Sequence, residues 1–235
     1  MSARKTRPRT VLDDAIIRSV RVRLVGDIEH YTHLVQDLVA GAKVSLWIAT
    51  ANVKEMRVEA PVGTRARAKG RYVSVLDTLS GLARRGVELR MLYAGQPSRP
   101  FREELAKHTD LVKGGLEMRQ CPRVHLKMIA VDGRQLYLGS ANWTGAGLGA
   151  KGEGRRNFEM GLVTDDDVLL DRAQARFEAI WSGRECKGCK VRGMCPSPID
   201  TLPARGASAA PEPQTPKTRR PGRASGRKAA TPSRR

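Results

Sequence analysis

The stretch that decides the fold is His125-Leu-Lys127-Met-Ile-Ala-Val-Asp132-Gly-Arg-Gln-Leu-Tyr-Leu-Gly139-Ser140-Ala-Asn142. It matches the pattern H-x-K-x4-D-x6-G-S-x-N at every fixed position, which makes it a specific signal. Two apolar runs within it, residues 126–131 and 135–138, are predicted to be strands. The pair Asp132-Gly133 between them suits a tight turn, so the motif is predicted to lie on a hairpin.

Helical and strand patterns alternate on both sides of this hairpin. Apolar residues with helical spacing predict four helices, at residues 27–43, 73–85, 101–108 and 165–181. Short apolar runs predict four further strands, at residues 44–51, 87–93, 116–119 and 158–163. Helices that alternate with buried strands indicate an α/β domain whose sheet is mixed and layered between helices.

The motif resembles the signature of the phospholipase D superfamily, the HKD phosphodiesterases. The resemblance covers about residues 27–181 and includes residues 83–87 before a strand, Asn142-Trp143-Thr144 and Asn157-Phe158-Glu159. It implies a phospholipase D-like layered domain with a mixed β-sheet flanked by helices and one HKD motif per chain. It also implies a phosphodiesterase that needs no cofactor for catalysis and acts through a phosphohistidine.

The polar residues of the motif suit attack on a phosphodiester. Residues i and i+2 of a strand share a face, so His125 and Lys127 are expected to project together, as are Ser140 and Asn142. A phosphodiester needs a nucleophile and positive charge on its non-bridging oxygens, which an imidazole and an ammonium supply. The resemblance implies that His125 becomes the phosphohistidine and that Lys127, Ser140 and Asn142 bind phosphate.

Two carboxylates complete the candidate catalytic set. The resemblance implies that Glu159 holds the His125 imidazole in the attacking tautomer, as carboxylates do in other triads. The alternative is that Glu159 is a solvated carboxylate on a strand. Asp132 belongs to the motif, and we assign it mainly to structure, at the turn between the two strands.

A single motif leaves the reaction without an acid for the leaving oxygen. The other histidines are His30, His33 and His108, and none has a lysine two residues later. Two-motif members of the superfamily supply a second histidine within one chain. This chain resembles instead the single-motif bacterial endonucleases, which build one active site across a homodimer, so we expect a homodimer with two copies of His125 in a shared site.

The four cysteines suggest a second site. Cys186, Cys189 and Cys195 have the spacing C-x2-C-x5-C, which resembles the iron–sulfur clasp that closes certain exonuclease domains. The fourth ligand would be Cys121, sixty-five residues upstream of Cys186. Such a set suits either a structural zinc or a [4Fe–4S] cluster. The expected compartment is reducing and disfavours disulfides, so the alternative to a metal site is four ordinary thiols.

The charge of the chain favours nucleic acid as the partner. The net charge is +19, with four basic residues in residues 1–10 and nine in residues 201–235, and basic loops lie at 65–71 and 151–156. Few aromatic residues and the lack of an amphipathic membrane helix weaken a lipid substrate. Two alternatives stay open: a phospholipase D or phosphatidyltransferase acting on phospholipids, and a non-catalytic nucleic-acid-binding protein.

These features predict four segments. They are a basic N-terminal arm (1–24), a phospholipase D-like catalytic domain (25–183), a Cys-rich segment (184–200) and a disordered basic tail (201–235) that seeks polyanions or only aids solubility. The sequence contains no apolar run of transmembrane length and no secretory apolar stretch at its start. We therefore expect no transmembrane segment and a cytoplasmic location.

Overall fold

A seven-stranded sheet organises the protein, whose computed structural model describes residues 19–60 and 62–201. The strand order is β1-β9-β8-β7-β2-β5-β6. Strands β2, β5 and β6 are parallel, and β7, β8, β9 and β1 continue the sheet in antiparallel pairs. The strands are β1 (Val22–Gly26), β2 (Ser45–Thr50), β5 (Glu88–Tyr93), β6 (Glu117–Gln120), β7 (Met128–Val131), β8 (Gln135–Gly139) and β9 (Met160–Thr164). A separate hairpin pairs β3 (Arg57–Glu59) with β4 (Tyr72–Ser74).

Six helices of the α or π type accompany the sheet among the described residues. They are α1 (His30–Val39, π type), α2 (Arg65–Ala68), α3 (Val75–Arg84), α4 (Arg99–Leu105), α5 (Leu111–Gly115, π type) and α6 (Asp167–Trp181). Three short 3₁₀ helices follow α6, at Arg184–Cys186, Arg192–Met194 and Ile199–Thr201. Helix α3 begins with a capping box between Ser74 and Asp77, and the Asp166 side chain caps α6. No helix within the described ranges is long and apolar enough to cross a membrane.

Each face of the sheet carries its own hydrophobic cluster. On one face, Leu34 of α1, Leu76 of α3 and Phe101 of α4 pack in one cluster with sheet residues. On the other face, Phe177 of α6 packs in a second cluster with Leu136 of β8. The architecture is therefore a mixed sheet between helical layers, and the predicted fold class is confirmed.

The hairpin at the centre of the motif forms as predicted. Asp132 and Gly133 have φ angles of 56° and 61°, and the Arg134 N–H donates to the Val131 carbonyl at 3.0 Å. Two adjacent residues with positive φ are the mark of the tight hairpin turn that joins antiparallel strands. This turn sets the register in which Met128 faces Leu138 across β7 and β8.

The strand ends differ from the sequence-based prediction at the motif. Strand β7 begins at Met128, β8 ends at Gly139 and β9 begins at Met160. The candidate catalytic residues therefore lie in the segments just beyond the strands, and the prediction that they alternate on the strands was wrong.

Strand β1 and the β3–β4 hairpin were not predicted from the sequence. Residues 22–24, which the sequence assigned to the basic N-terminal arm, pair with β9. Residues 1–18 of that arm and the basic tail from residue 202 lie outside the described residues.

Candidate active site

His125 and Lys127 lie together in the segment that leads into β7. The Lys127 ammonium is 3.0 Å from Nδ1 and 3.2 Å from Nε2 of the exposed His125 ring, and it donates to the His125 carbonyl at 3.0 Å. Burial lowers the pKa of Lys127, and the nearby Glu159 carboxylate partly opposes this shift. The arrangement places a nucleophile beside a cation that can neutralise a phosphate oxygen.

Ser140 and Glu159 face each other at the ends of β8 and β9. The Ser140 hydroxyl donates to Glu159 Oε2 and accepts from the Met160 N–H at 3.1 Å. Asn157 Nδ2 donates to Glu159 Oε1 at 3.0 Å. Within the part of the chain that the structure describes, the Glu159 carboxylate makes no hydrogen bond to His125. Its contacts in one chain therefore orient Ser140 and Asn157, and the implied contact with the imidazole is not made.

Asn142 is held by its side-chain oxygen. Oδ1 accepts from the backbone N–H groups of Ala51 and Asn52 at 3.1 and 3.2 Å and from the Thr50 hydroxyl at 3.3 Å. Backbone N–H groups can only donate, so the acceptor end of the amide is fixed against the end of β2. The Asn142 Nδ2 group, which can only donate, remains available to a phosphate oxygen.

A family model described as "Cardiolipin synthase, PLD-like domain" matches residues 35–181. The chain belongs to the phospholipase D superfamily. The match spans both sides of the motif and includes His125, Lys127, Ser140, Asn142 and Glu159. Enzymes of the phospholipase D superfamily are phosphodiesterases that act without a metal cofactor. No curated protein matches the chain.

The chain is similar to several solved structures. The phospholipase D family member Nuc from Salmonella typhimurium is 18% identical, with a TM-score of 0.47 over 70% of this chain and 95% of that one. NucT from Helicobacter pylori is 17% identical, with a TM-score of 0.46 over 68% and 94%. Phosphatidylserine synthase from Haemophilus influenzae is 17% identical, with a TM-score of 0.45 over 67% and 37%. These similarities do not indicate which substrate this phospholipase D-like chain acts on.

Asp132 lies at the far end of β7 from His125. Its carboxylate accepts from the backbone N–H groups of Lys43, Val44 and Ser45 at 2.7 to 3.0 Å. Burial alone would raise the pKa of Asp132, but these hydrogen bonds outweigh it and lower the pKa. The motif aspartate of this phospholipase D-like domain therefore ties the hairpin turn to the start of β2, and it does not join the other motif residues at the site.

Two buried residues that the motif pattern does not reveal, Tyr137 and His30, hold the backbone between Ser140 and Asn142 in place. Tyr137 and His30 are 1% and 0% exposed, and their Oη and Nε2 atoms are 2.9 Å apart. Tyr137 Oη also accepts from the Ala141 N–H at 3.3 Å, next to Ser140 and Asn142. Burial raises the pKa of Tyr137 to about 12 and lowers the pKa of His30. Both groups are therefore neutral at pH 7.

The glycine of the motif is explained by the Tyr137 ring. A Cβ on Gly139 would lie 2.2 Å from Tyr137 Oη, and one on Gly161 would lie 2.3 Å from the ring. Neither glycine has a positive φ, so what both positions require is space. The glycine of the phospholipase D-like motif was thus a sequence signal for a large side chain packed across β8 and β9.

The three other histidines do not supply a second catalytic acid within the chain. His30 is fully buried with Tyr137. His33 pairs on the surface with Asp37 at 3.3 Å, and His108 lies 3.7 Å from Asp77 at the start of α3. The phospholipase D-like site of one chain therefore contains His125 as its only histidine among the described residues.

The four cysteines of the predicted metal site all line one cavity. It lies beside α6, between the segment after β6 and the C-terminal segment that follows α6. Among residues 19–60 and 62–201, however, no three His, Cys, Asp or Glu side chains are placed to hold a metal ion. The structure thus brings the predicted ligands around a common space without converging them on one point.

Proposed function

We propose that this phospholipase D-like protein is a nuclease that hydrolyses phosphodiester bonds of DNA or RNA through a phosphohistidine on His125. The proposal rests on a basic cleft of about 580 Å³ whose lining includes Asn142, one of the three candidate phosphate-binding residues. The proposal places catalysis in a site shared by two copies of the chain. The cytoplasmic location expected from the sequence stays a prediction.

The cleft matches a nucleic-acid backbone better than a lipid. Asn142 and Asn157 from the candidate site line it together with Lys54, Arg57 and Lys151. Spaced cations along a groove track successive phosphates of a strand. Its described lining includes no large aliphatic or aromatic side chain, because only Pro100, Ala146 and glycine accompany the polar groups. An acyl chain would find no apolar wall in this cleft.

The cleft also contains a buried carboxyl group, that of Glu55. The two Glu55 oxygens are buried, and burial raises the pKa of this side chain. A higher pKa reduces the negative charge that would repel a phosphate. The wall formed by Lys54 and Arg57 therefore stays net positive on both sides of Glu55.

The reaction follows from the chemistry of the grouped side chains. His125 attacks phosphorus and a P–N bond forms, while the P–O bond to the leaving nucleotide breaks. Lys127, Ser140 and the Asn142 amide bind the non-bridging oxygens as their charge develops. His125 of a second copy gives its proton to the leaving oxygen. That imidazole then takes a proton from water, whose oxygen attacks phosphorus and breaks the P–N bond.

An exposed apolar face of the sheet supports the proposal that two copies of the chain form a dimer. Leu138, Leu162 and Leu24 lie side by side on β8, β9 and β1, and Val22 and Met160 extend the row on the same face. Phe158, which precedes β9, is 97% exposed. Contiguous exposed apolar side chains indicate an interaction surface. Because Met160 adjoins Glu159 and bonds to Ser140, two copies that dock here bring their sites together.

The substrate is tested by incubating the full chain with labelled DNA, RNA and phosphatidylcholine vesicles in EDTA. We expect cleavage of at least one nucleic acid, and no turnover by His125→Ala. His33→Ala is the matched control, because His33 is a surface histidine on α1, and it should retain the wild-type rate. Hydrolysis of phosphatidylcholine without cleavage of nucleic acid, or binding of nucleic acid without cleavage, would contradict the proposal.

The role of the cleft is tested by removing single charges. Lys54→Gln and Lys151→Gln should weaken DNA binding, and each should reduce the log–log salt slope by about 0.9 for a lost phosphate contact. Lys113→Gln, on α5 and outside the cleft lining, is the control and should leave the slope unchanged. Equal effects of all three substitutions would show that the net charge of the chain, and not the cleft, binds the nucleic acid.

The shared site is tested with mixed dimers of wild type and His125→Ala. We expect almost no activity from them, because each shared site lacks either the nucleophile or the acid. A mixed dimer that retains half of the wild-type rate would show that each copy works alone.

A further inference from the structure

All four cysteines meet at a cavity of about 70 Å³, although Cys121 is far from the others in sequence. The cavity is separate from the active-site cleft, and no step of the proposed reaction uses it. Cys121 and Cys186 also pack against the hydrophobic cluster that includes Val124, Ile180 and Ile199. The thiols therefore border a partly apolar space between the sheet and the C-terminal segment.

The backbone of that segment repeats a three-residue hydrogen-bond pattern. The N–H groups of Cys186, Cys189, Arg192 and Cys195 each donate to the carbonyl three residues earlier, at 2.9 to 3.2 Å. These turns do not form one continuous helix, because Lys187 is extended and Gly188 has a φ of 74°. The turns keep the segment compact, and Cys186, Cys189 and Cys195 all line the same cavity.

Cys121 is positioned by the sheet. Its N–H donates at 2.8 Å to the carbonyl of Tyr93, the last residue of β5, and its carbonyl accepts from the Val124 N–H at 2.9 Å. These bonds form a turn that ends one residue before His125. A ligand held between Cys121 and the C-terminal thiols would therefore tie the segment carrying His125 to the segment that follows α6.

The size of the cavity distinguishes between the ligands that four thiolates can bind. A tetrahedral zinc draws four sulfurs to about 2.3 Å from one centre, whereas no three candidate ligands in the described residues are placed to hold a single ion. A cavity needs about 10–15 Å³ to hold one water molecule, so about 70 Å³ is several times that space. Four thiolates around a larger volume suit a [4Fe–4S] cluster.

The charges around the cavity suit the same ligand. Arg123 and Arg192 line it, and Arg123 Nη1 donates to Cys189 Sγ at 3.5 Å. A [4Fe–4S] cluster held by four thiolates is anionic, and adjacent guanidinium groups stabilise that charge. We propose that Cys121, Cys186, Cys189 and Cys195 bind a structural [4Fe–4S] cluster. Iron and sulfide enter from outside the protein, and each thiol releases its proton on binding.

The test is metal analysis of the full chain purified without oxygen. We expect about four iron and four sulfide per chain, a brown protein whose visible absorption bleaches on reduction, and a higher melting temperature than the cluster-free form. Cys121→Ser is the decisive variant, because its thiol is distant in sequence. It should lose the cluster as completely as Cys189→Ser does.

Met194→Ser is the matched control. Met194 is 81% exposed beside Cys195 and does not line the cavity, so this variant should keep the full iron and sulfide content. Three results would overturn the proposal. The first is that the wild-type protein contains no iron after reconstitution with iron and sulfide. The second is that it contains one zinc per chain in place of iron. The third is that the Cys121→Ser variant keeps the whole cluster.

Discussion

Removing the Tyr137 hydroxyl tests the support beneath the active site. In Tyr137→Phe, His30 Nε2 loses its partner at 2.9 Å and the Ala141 N–H loses its acceptor at 3.3 Å. His30 Nδ1 donates to the Asp27 carbonyl at 3.2 Å. In the neutral ring Nε2 is therefore the acceptor, and the Tyr137 hydroxyl donates to it. The phenylalanine ring fills the same space, so the variant removes hydrogen bonds and leaves packing unchanged.

The expected loss in the free energy of unfolding follows from the burial of the two groups that lose their hydrogen-bond partner. His30 and Ala141 are 0% and 5% exposed, and each unsatisfied buried group costs about 1–3 kcal/mol. The hydrogen bond to the Ala141 N–H is the longer of the two, so its loss should cost an amount at the low end of this range. We therefore expect a loss of about 2–4 kcal/mol in the free energy of unfolding. For a domain of this size, that lowers the melting temperature by roughly 4–15 °C.

Urea denaturation and thermal melting measure this loss, and Tyr72→Phe is the matched control. Tyr72 is 52% exposed on β4, so its variant should match wild type. We also expect Tyr137→Phe to lower kcat more than it changes KM, because Ala141 lies between Ser140 and Asn142. A loss below about 0.5 kcal/mol, within the ordinary effect of a surface substitution, would refute the view that Tyr137 supports the site.

Three further outcomes are expected. Burial lowers the pKa of His30 below 6.5, so the unfolded state takes up a proton at a higher pH than the folded state does. The free energy of unfolding, measured in urea, should therefore fall as the pH drops below about 6.5. His30→Gln should flatten this pH dependence, and His33→Gln should not. Asp132→Ala frees three backbone N–H groups and should cost about 1–2 kcal/mol, with kcat in the stable fraction unchanged. Leu162→Asp should yield an inactive monomer by light scattering, whereas Val112→Asp, at an exposed site on α5, should remain an active dimer.

Much of the fold was predictable because buried strands carry their own local signal. Strand β2 is an apolar run apart from Ser45 and Thr50 at its ends, and β5 carries apolar residues at Leu89, Met91 and Leu92. The Asp132-Gly133 turn has a backbone preference that few other pairs satisfy. Strand β1 escaped prediction because Val22 and Leu24 alternate with arginine at the edge of the sheet. The alternation resembled a basic arm, and only pairing with β9, more than a hundred residues later, makes it a strand.

The candidate site was predictable as a list of residues and not as a set of contacts. The motif identified His125 and Lys127, which the structure brings into contact. The partners of Glu159 and the pairing of His30 with Tyr137 depend on how distant segments meet at the strand ends. Local spacing does not encode such contacts, so the family resemblance implied a contact of Glu159 with the imidazole, whereas in the single chain it contacts Ser140 and Asn157.

The most direct test of the account is to trap the intermediate on His125. DNA or RNA labelled at one end is mixed with excess protein in EDTA, quenched in denaturant and separated on a denaturing gel. The denaturant is alkaline for DNA, because phosphohistidine survives alkali and hydrolyses in acid, and neutral for RNA, because alkali cleaves the RNA backbone. The account predicts a labelled protein band that disappears on acid treatment, maps to His125 by peptide mass spectrometry, and is missing from His125→Ala. Cleavage in EDTA by a protein that never carries the label, or a label on another residue, would contradict it.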